Sequence, residues 1–255
     1  MDDLKTHEIF LAVLIDADNI SYTNITALME EVNKYGIATV KRVYGDWTSP
    51  QLAAWKNALQ DYAITPIQQF SYTTGKNATD SALIIDAMDL LYSKSLDGFC
   101  LVSSDSDFTR LATRLREAGK FVYGFGEKKT PNAFIAACDR FFYLEVLKRE
   151  ERRKQAGQKS SAPKPERQRK KKDNPFDEKF LDFVFDAIED LADENGWVFL
   201  ADIGNLLMRK DPSFDPRNYG FKKLTPLIRE VPGLEIEDRP TNKSNIRHIY
   251  VRIKD

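Results

Sequence analysis

Aspartates at the ends of short apolar runs offer the chemistry in this sequence. They stand in three stretches: IDADN at 15–19, KNATDSALIIDAM at 76–88 and LVSSDSDFTRLA at 101–112. Gathered in one crevice, Asp16, Asp80, Asp105 and Asp107 would form an oxygen-rich site of the kind that hard Mg²⁺ or Mn²⁺ prefers, with phosphate oxygens completing the coordination. Two like charges 4 Å apart repel by roughly 4 kcal/mol at an effective dielectric constant of about 20, so these carboxylates alone would also repel a polyanion. A divalent cation reverses that field, polarises a phosphodiester and lowers the pKa of a bound water. Asn19 would help position water or substrate. Each aspartate also has a plainer role open to it, because a carboxylate can cap the helix or turn that follows. Asp18 divides between solvent and support of the site, and Asp86 and Asp89 suit surface or local packing.

The elements that must position these groups can be read from the hydrophobic pattern. Strands are expected at 10–16, 40–46, 64–70, 98–104 and 121–126, and helices at 20–34, 50–62, 80–92, 108–117 and 132–138. The helix at 80–92 is expected to pack through Leu83, Ile84, Met88 and Leu91. Strands alternating with helices favour an α/β fold, a three-layer α/β/α sandwich with a mostly parallel sheet. In such a sheet Asp16 closes the first strand and Asp105 and Asp107 follow a later one, so strand ends can bring remote residues together.

Other side chains narrow the chemistry. His7 and His248 are too sparse for histidine-based hydrolysis or a His-rich metal cluster. Cys100 and Cys138, both in hydrophobic surroundings, suit buried thiols better than a disulfide or redox pair. No apolar run approaches the length of a transmembrane helix, and the acidic start Met1-Asp2-Asp3 is unlike a secretory signal, so a cytoplasmic protein is expected. The net charge of -1 conceals a basic segment at 148–173, where 12 Lys and Arg face 4 Asp and Glu and no large apolar residue can build a core. Residues 148–174 are therefore expected to be a flexible basic linker, with room for a short helix at its start, between domains at 1–147 and 175–255. Its charge suits phosphate attraction, although solubility alone would explain it.

In the second domain, helices are expected within 176–196, ending near Asn195-Gly196, at 201–209 and at 221–230. A terminal strand RHIYVRI would pair with Leu234-Glu235-Ile236 as a wing. Phe221, Leu224, Leu227, Ile228 and Val231 fit a core, while Lys222, Lys223 and Arg229 are free to face a partner. In the first domain Lys76 and Arg110 are candidates for meeting the phosphates of a substrate strand. Arg114 and Arg116 fit either phosphate contact or compensation of acids. Lys41 and Arg42 could flank the groove, Trp47 or Tyr72 could stack on a base, and Thr79 and Ser103 could orient water or cap turns.

Residues 9–145 resemble an NYN domain of the LabA-like group in the PIN-like nuclease superfamily. Asp16 and Asn19 match the opening D-x-x-N pattern, Asp80 matches the acidic start of the central helix, and Ser103 to Phe108 match S-x-D-x-D-F. Asn77 and Ala78 stand where relatives often have a Gly-containing approach, and Gly75 is left to supply the bend. Residues 175–253 resemble a LOTUS, or OST-HTH, domain, a small winged helix-turn-helix type, on Phe180 to Leu191, Leu200 to Arg209 and Tyr219-Gly220-Phe221-Lys222-Lys223-Leu224. The resemblances imply a ribonuclease using Mg²⁺ or Mn²⁺, with Asp16, Asp80, Asp105 and Asp107 as metal ligands, Asn19 in support and RNA as the substrate. The second domain would aid RNA recognition or bind a protein partner, and a homodimer could lengthen the groove. A non-cleaving RNA-binding adaptor and a metal-dependent DNA nuclease remain the alternatives.

Overall fold

The computed structural model describes residues 8–70, 78–93, 95–158, 176–240 and 247–254. They fall into two compact units, 8–158 and 176–254. In the first, six strands form one sheet: β1 (Phe10–Asp16), β2 (Ile37–Gly45), β3 (Thr65–Gln68), β4 (Gly98–Val102), β5 (Phe121–Gly126) and β6 (Arg140–Tyr143). Their spatial order is β3-β2-β1-β4-β5-β6, and every neighbouring pair is parallel. The chain therefore lays strands outward from β1 in one direction, then returns and lays the rest from β4 in the other. The ends of β1 and β4 flank the crevice at which this reversal occurs.

Six helices cover the sheet: α1 (Ile25–Val32), α2 (Trp55–Asp61), α3 (Ala78–Ser93), α4 (Thr109–Glu117), α5 (Asn132–Ala137) and α6 (Leu144–Gln158). Alternation along β1 assigns them to faces. Leu11, Val13 and Ile15 bury against α1, α2 and α6, whereas Ala12 and Leu14 bury against α3, α4 and α5. Right-handed crossovers put helices on opposite faces once the direction of strand addition reverses. Asp16 shares the parity of Ala12 and Leu14, which turns it toward the α3 face. Strands coated on both sides must be apolar throughout, and all five residues of β4 are buried.

The expected α/β/α architecture is present, with informative shifts at the boundaries. The helices expected at 20–34, 50–62 and 108–117 each open with a short 3₁₀ turn before α1, α2 and α4. The buried face of α3 is Leu83, Ala87, Leu90 and Leu91, with Ile84 and Met88 half-buried at its margin. Ala87 escapes notice in a hydrophobic pattern, yet it lets the helix lie close on the sheet. The run after Cys138 divides into β6 and α6, and α6 carries the chain through Lys148 to Gln158; residues 159–175 lie outside those described. Cys100 and Cys138 are buried free thiols, and burial pushes both pKa values up.

The second unit comprises α7 (Glu178–Glu189), β7 (Val198–Phe199), α8 (Leu200–Lys210), α9 (Leu224–Arg229), β8 (Leu234–Pro240) and β9 (Arg247–Ile253). The wing is present: β8 and β9 pair antiparallel, and β7 adds to the far side of β9. Helix α7 stops at Glu189 rather than near Asn195 because Asp193 takes over the local backbone. Its carboxylate accepts the N–H groups of Asn195 and Trp197, and Gly196 supplies a φ of 77°. Helix α9 starts at Leu224 rather than 221. That start puts Pro226 in the first turn, where its missing N–H costs no helical bond. Phe221 instead packs near Phe176, whose ring stacks on Phe180.

Candidate metal centre

Asp16 is the last residue of β1 and is fully buried. Its Oδ1 accepts the Asp18 N–H at 3.0 Å; its Oδ2 accepts from Asn19 Nδ2 at 2.6 Å and Ser103 Oγ at 2.9 Å. Burial pushes its pKa up, while those three donors pull it back toward the charged form. Asn19 thus acts on Asp16, fixing the carboxylate that the strand delivers. Ser103 links the strand ends: while donating to Asp16 it also accepts the Asp105 N–H at 3.1 Å.

The loop after β4 turns sharply into α4. Asp105 caps the 3₁₀ turn Ser106–Phe108 by accepting the Asp107 N–H at 2.9 Å. Capping and site formation are therefore compatible, since the same bond that satisfies the turn also fixes the orientation of the Asp105 carboxylate. Asp80 enters from the first turn of α3 and is only 8% exposed. Carboxylate oxygens of Asp80, Asp105 and Asp107 all lie within 4.8 Å of one another. At that spacing each charged pair repels by roughly 3–4 kcal/mol at an effective dielectric constant of about 20, less where water reaches the exposed Asp107. The consequence falls on the most buried member. Burial first, then the charges of Asp16, Asp105, Asp107 and Asp18, push the Asp80 pKa up to about 6.

A divalent cation fits this donor set. Three carboxylates are within reach of a common ion, all ligand atoms are hard oxygens, and a cation would offset both the burial and the charge crowding that raise Asp80. Asp16 lies close enough to act electrostatically on Asp80, but it stands outside the tight trio and its oxygens are already engaged by three donors.

Supporting contacts hold the loops in place. Ser104 Oγ accepts the Glu127 N–H at 2.8 Å, joining the loops after β4 and β5. Gly126 permits that approach: a Cβ there would meet Thr130 Oγ1 at 2.6 Å and the Ser103 carbonyl oxygen at 2.7 Å. On α3, Asp86 pairs with Arg42 and accepts the Tyr44 hydroxyl, tying the helix that carries Asp80 to β2. Asp86 is thus a packing residue, as expected. Sequence reasoning undervalued Ser103 and missed Ser104 and Gly126. The available signal was two serines directly before an acidic turn and a glycine ending the neighbouring strand.

The remaining candidates separate clearly. Arg110, Lys222 and Lys223 are exposed. Arg114 donates to the Tyr92 hydroxyl, and Arg116 pairs with Asp139 at 3.0 Å. Lys41 donates to the Tyr62 carbonyl. Trp47 is half-buried, donating its indole N–H to the Ile67 carbonyl at 3.0 Å, which suits packing rather than base stacking. Thr79 is buried at the start of α3. Lys76, Tyr72, Gly75 and Asn77 lie outside the described residues, as does His7. Among the described residues no helix is long and apolar enough to cross a membrane.

Comparison with known proteins adds two family matches: the NYN domain over residues 10–145 and the OST-HTH/LOTUS domain over residues 176–246. No curated protein matches the chain. Among solved structures, a protein of unknown function from Vibrio parahaemolyticus is 19% identical with a TM-score of 0.47, the match covering 54% of this chain and 94% of that one. An uncharacterised protein from Nitrosomonas europaea is 35% identical over 38% of this chain and 90% of that one, with a TM-score of 0.30. A Chromobacterium violaceum protein is 29% identical over 31% of this chain and 83% of that one, with a TM-score of 0.25.

Proposed function

We propose, because the chain belongs to the NYN domain family, that it is a cytoplasmic, divalent-metal-dependent ribonuclease whose C-terminal domain helps to capture RNA. The observation that carries this proposal is the convergence of Asp80, Asp105 and Asp107 within 4.8 Å at the sheet's point of reversal, beside the buried Asp16. Asp80, Asp105 and Asp107 would hold Mg²⁺ or Mn²⁺, with Asp16 as a further ligand or its electrostatic support. When bound, the cation would polarise the phosphodiester and acidify water.

The protein's own groups have distinct tasks in this scheme. Asn19 and Ser103 orient the Asp16 carboxylate and favour its charged form against the effect of its burial. Asp105 is held by its own capped turn, so its orientation is set before any substrate arrives. Asp80 is the member that responds to loading, because burial and the surrounding carboxylates raise its pKa to about 6 and a nearby positive charge would lower it again. Exposed Arg110, one turn beyond Asp107, can meet a phosphate of the strand being cut, and Lys76 is proposed for the same task. The D-x-x-N and S-x-D-x-D-F motifs support membership of the LabA-like group.

The test is a matched panel of RNA and DNA substrates with Mg²⁺ or Mn²⁺, against excess EDTA and the Asp16→Asn/Asp105→Asn double variant. RNA cleavage that requires metal and vanishes in the double variant is expected. Full turnover by that variant would defeat the assignment. Binding without turnover would instead identify an adaptor, and preferential cleavage of DNA a DNA nuclease.

A further inference from the structure

The sheet of the second unit has two unlike faces. Val198, Leu234 and Val251 are buried among the helices, with Ile236, Ile249 and Ile253 packed against them. Residues of the opposite parity point away from that core: Trp197, just before β7, and Phe199 on it, His248, Tyr250 and Arg252 on β9, and Arg239 on β8. This second face is built of flat groups in contact. The Arg239 guanidinium lies 4.2 Å from the centre of the Tyr250 ring and 4.8 Å from that of Trp197, and Arg252 lies 4.8 Å from Trp197. Phe199 continues the surface, 4.7 Å from His248 and 5.7 Å from Tyr250.

The arginines are fixed at their edges. Arg239 Nε is 2.9 Å from Glu237 and Arg252 Nε is 2.7 Å from Glu235, both acids standing on the same strand face. The arginine side chains nevertheless remain 35% and 37% exposed. Carboxylates that grip the guanidinium edges neutralise much of the charge, yet they hold the planes against the rings. The result suits recognition by stacking better than recognition by bulk positive charge. Unpaired nucleobases are planar on both faces and stack on aromatic rings and on guanidinium planes alike, whereas a duplex hides those faces. Helix α9 offers less to a duplex groove: it spans only Leu224–Arg229, and Arg229 is paired with Asp238.

We infer that the outward face of this sheet, centred on Trp197, Arg239 and Tyr250, is a stacking platform for single-stranded RNA. This deepens the proposed function, on whose RNA substrate it rests, and it places the principal contact on the sheet face rather than at Lys222 and Lys223. The two kinds of contact differ in salt response. Stacking residues set affinity with little effect on its dependence on salt, whereas each lysine that meets a phosphate adds to that dependence.

The experiment uses the full chain with excess EDTA, so that failure of capture and failure of cleavage are separate results. Binding of a short fluorescent oligoribonucleotide, single-stranded or annealed to its complement, is titrated across a range of salt. Trp197→Ala and Tyr250→Ala are expected to weaken single-strand binding roughly 5- to 150-fold, with the salt slope unchanged. Trp197→Phe should keep most of the affinity, Arg239→Ala should weaken binding without removing either ring, and the duplex should bind less well. Circular dichroism melts establish that each variant is folded. Folded variants with wild-type affinity, a duplex preference, or binding lost only in Lys222→Ala/Lys223→Ala would overturn the inference, as would absence of binding to any of these RNAs.

Discussion

Replacing Asp80 by Asn should make the metal-free protein more stable while abolishing its response to metal. Asp80 is nearly buried and shares its surroundings with four other aspartates. Its folded pKa, about 6, lies above the ordinary aspartate value of 3.8, so the folded state holds the proton more tightly than the unfolded chain does. The folded state is consequently favoured most below about pH 4, loses stability as pH rises through about 4 to 6, and stays lowered above that. Fully realised, the shift corresponds to about 3 kcal/mol at neutral pH. Water around the half-exposed Asp105 and exposed Asp107 screens the repulsion, which leaves about 1–2 kcal/mol. For a unit of this size that is about 2–8 °C in melting temperature.

The assay is thermal melting in a Trp197→Phe background, where Trp47 and Trp55 report the first unit alone. In EDTA at neutral pH, Asp80→Asn should melt higher than its parent, and its stability should vary less between about pH 4 and 6. At a Mg²⁺ concentration near 100 times the dissociation constant the parent should gain about 2.7 kcal/mol, and the variant should not, reversing the order. A variant less stable than its parent in EDTA, or equally stabilised by Mg²⁺, would refute the reasoning that like-charge repulsion is stored at this site for a cation to relieve.

Ser103→Ala removes a buried hydrogen bond to a carboxylate and should cost about 1.5–3 kcal/mol in urea melts, with RNA cleavage falling further than the loss of folded protein explains. Gly126→Ala drives a Cβ against Thr130 and the Ser103 carbonyl, so about 1–3 kcal/mol of stability should be lost together with cleavage as the Ser103 loop shifts. Asp86→Ala leaves Arg42 and Tyr44 without their shared partner and should destabilise the first unit by about 1–3 kcal/mol. Its residual folded fraction should still bind metal, measured by Mg²⁺-dependent protection from thermal unfolding.

The two units fit a division of labour between chemistry and capture. A cluster that is net negative until loaded has little attraction for RNA, so the proposed enzyme gains from a separate surface that engages bases rather than phosphates. The exposed Lys222 and Lys223, and the exposed Arg152 of α6, carry the charge that the phosphate contribution would use. Several α6 residues are committed locally: Lys148 donates to Thr23, Arg153 pairs with Glu150 and Lys154 pairs with Glu30.

Local chemistry made much of this protein legible from its residues alone. Apolar runs of strand length alternating with amphipathic helices dictate a parallel sheet coated on both faces, because neither element can leave its apolar surface in water. The acidic residues Asp16, Asp80, Asp105 and Asp107 announce themselves by type and by position at element ends, whereas the backbone constraints of Gly196 and Pro226 shifted the end of α7 and the start of α9 from where the apolar pattern alone would set them. What required the tertiary structure was everything set by strand order and side-chain parity. Only the adjacency of β1 and β4 lets Ser103 bridge Asp16 to the Asp105 turn, and only the crossover of α3 brings Asp80 within 4.8 Å of Asp105 and Asp107. The arginine and aromatic face of the second unit is likewise assembled from β8, β9 and the residue leading into β7, and the antiparallel pairing of these strands brings Arg239 to Tyr250 and both near Trp197. Sequence spacing governs neighbours along the chain, whereas contacts across a sheet depend on which strands pair and in what register, and those are settled by burial of the whole.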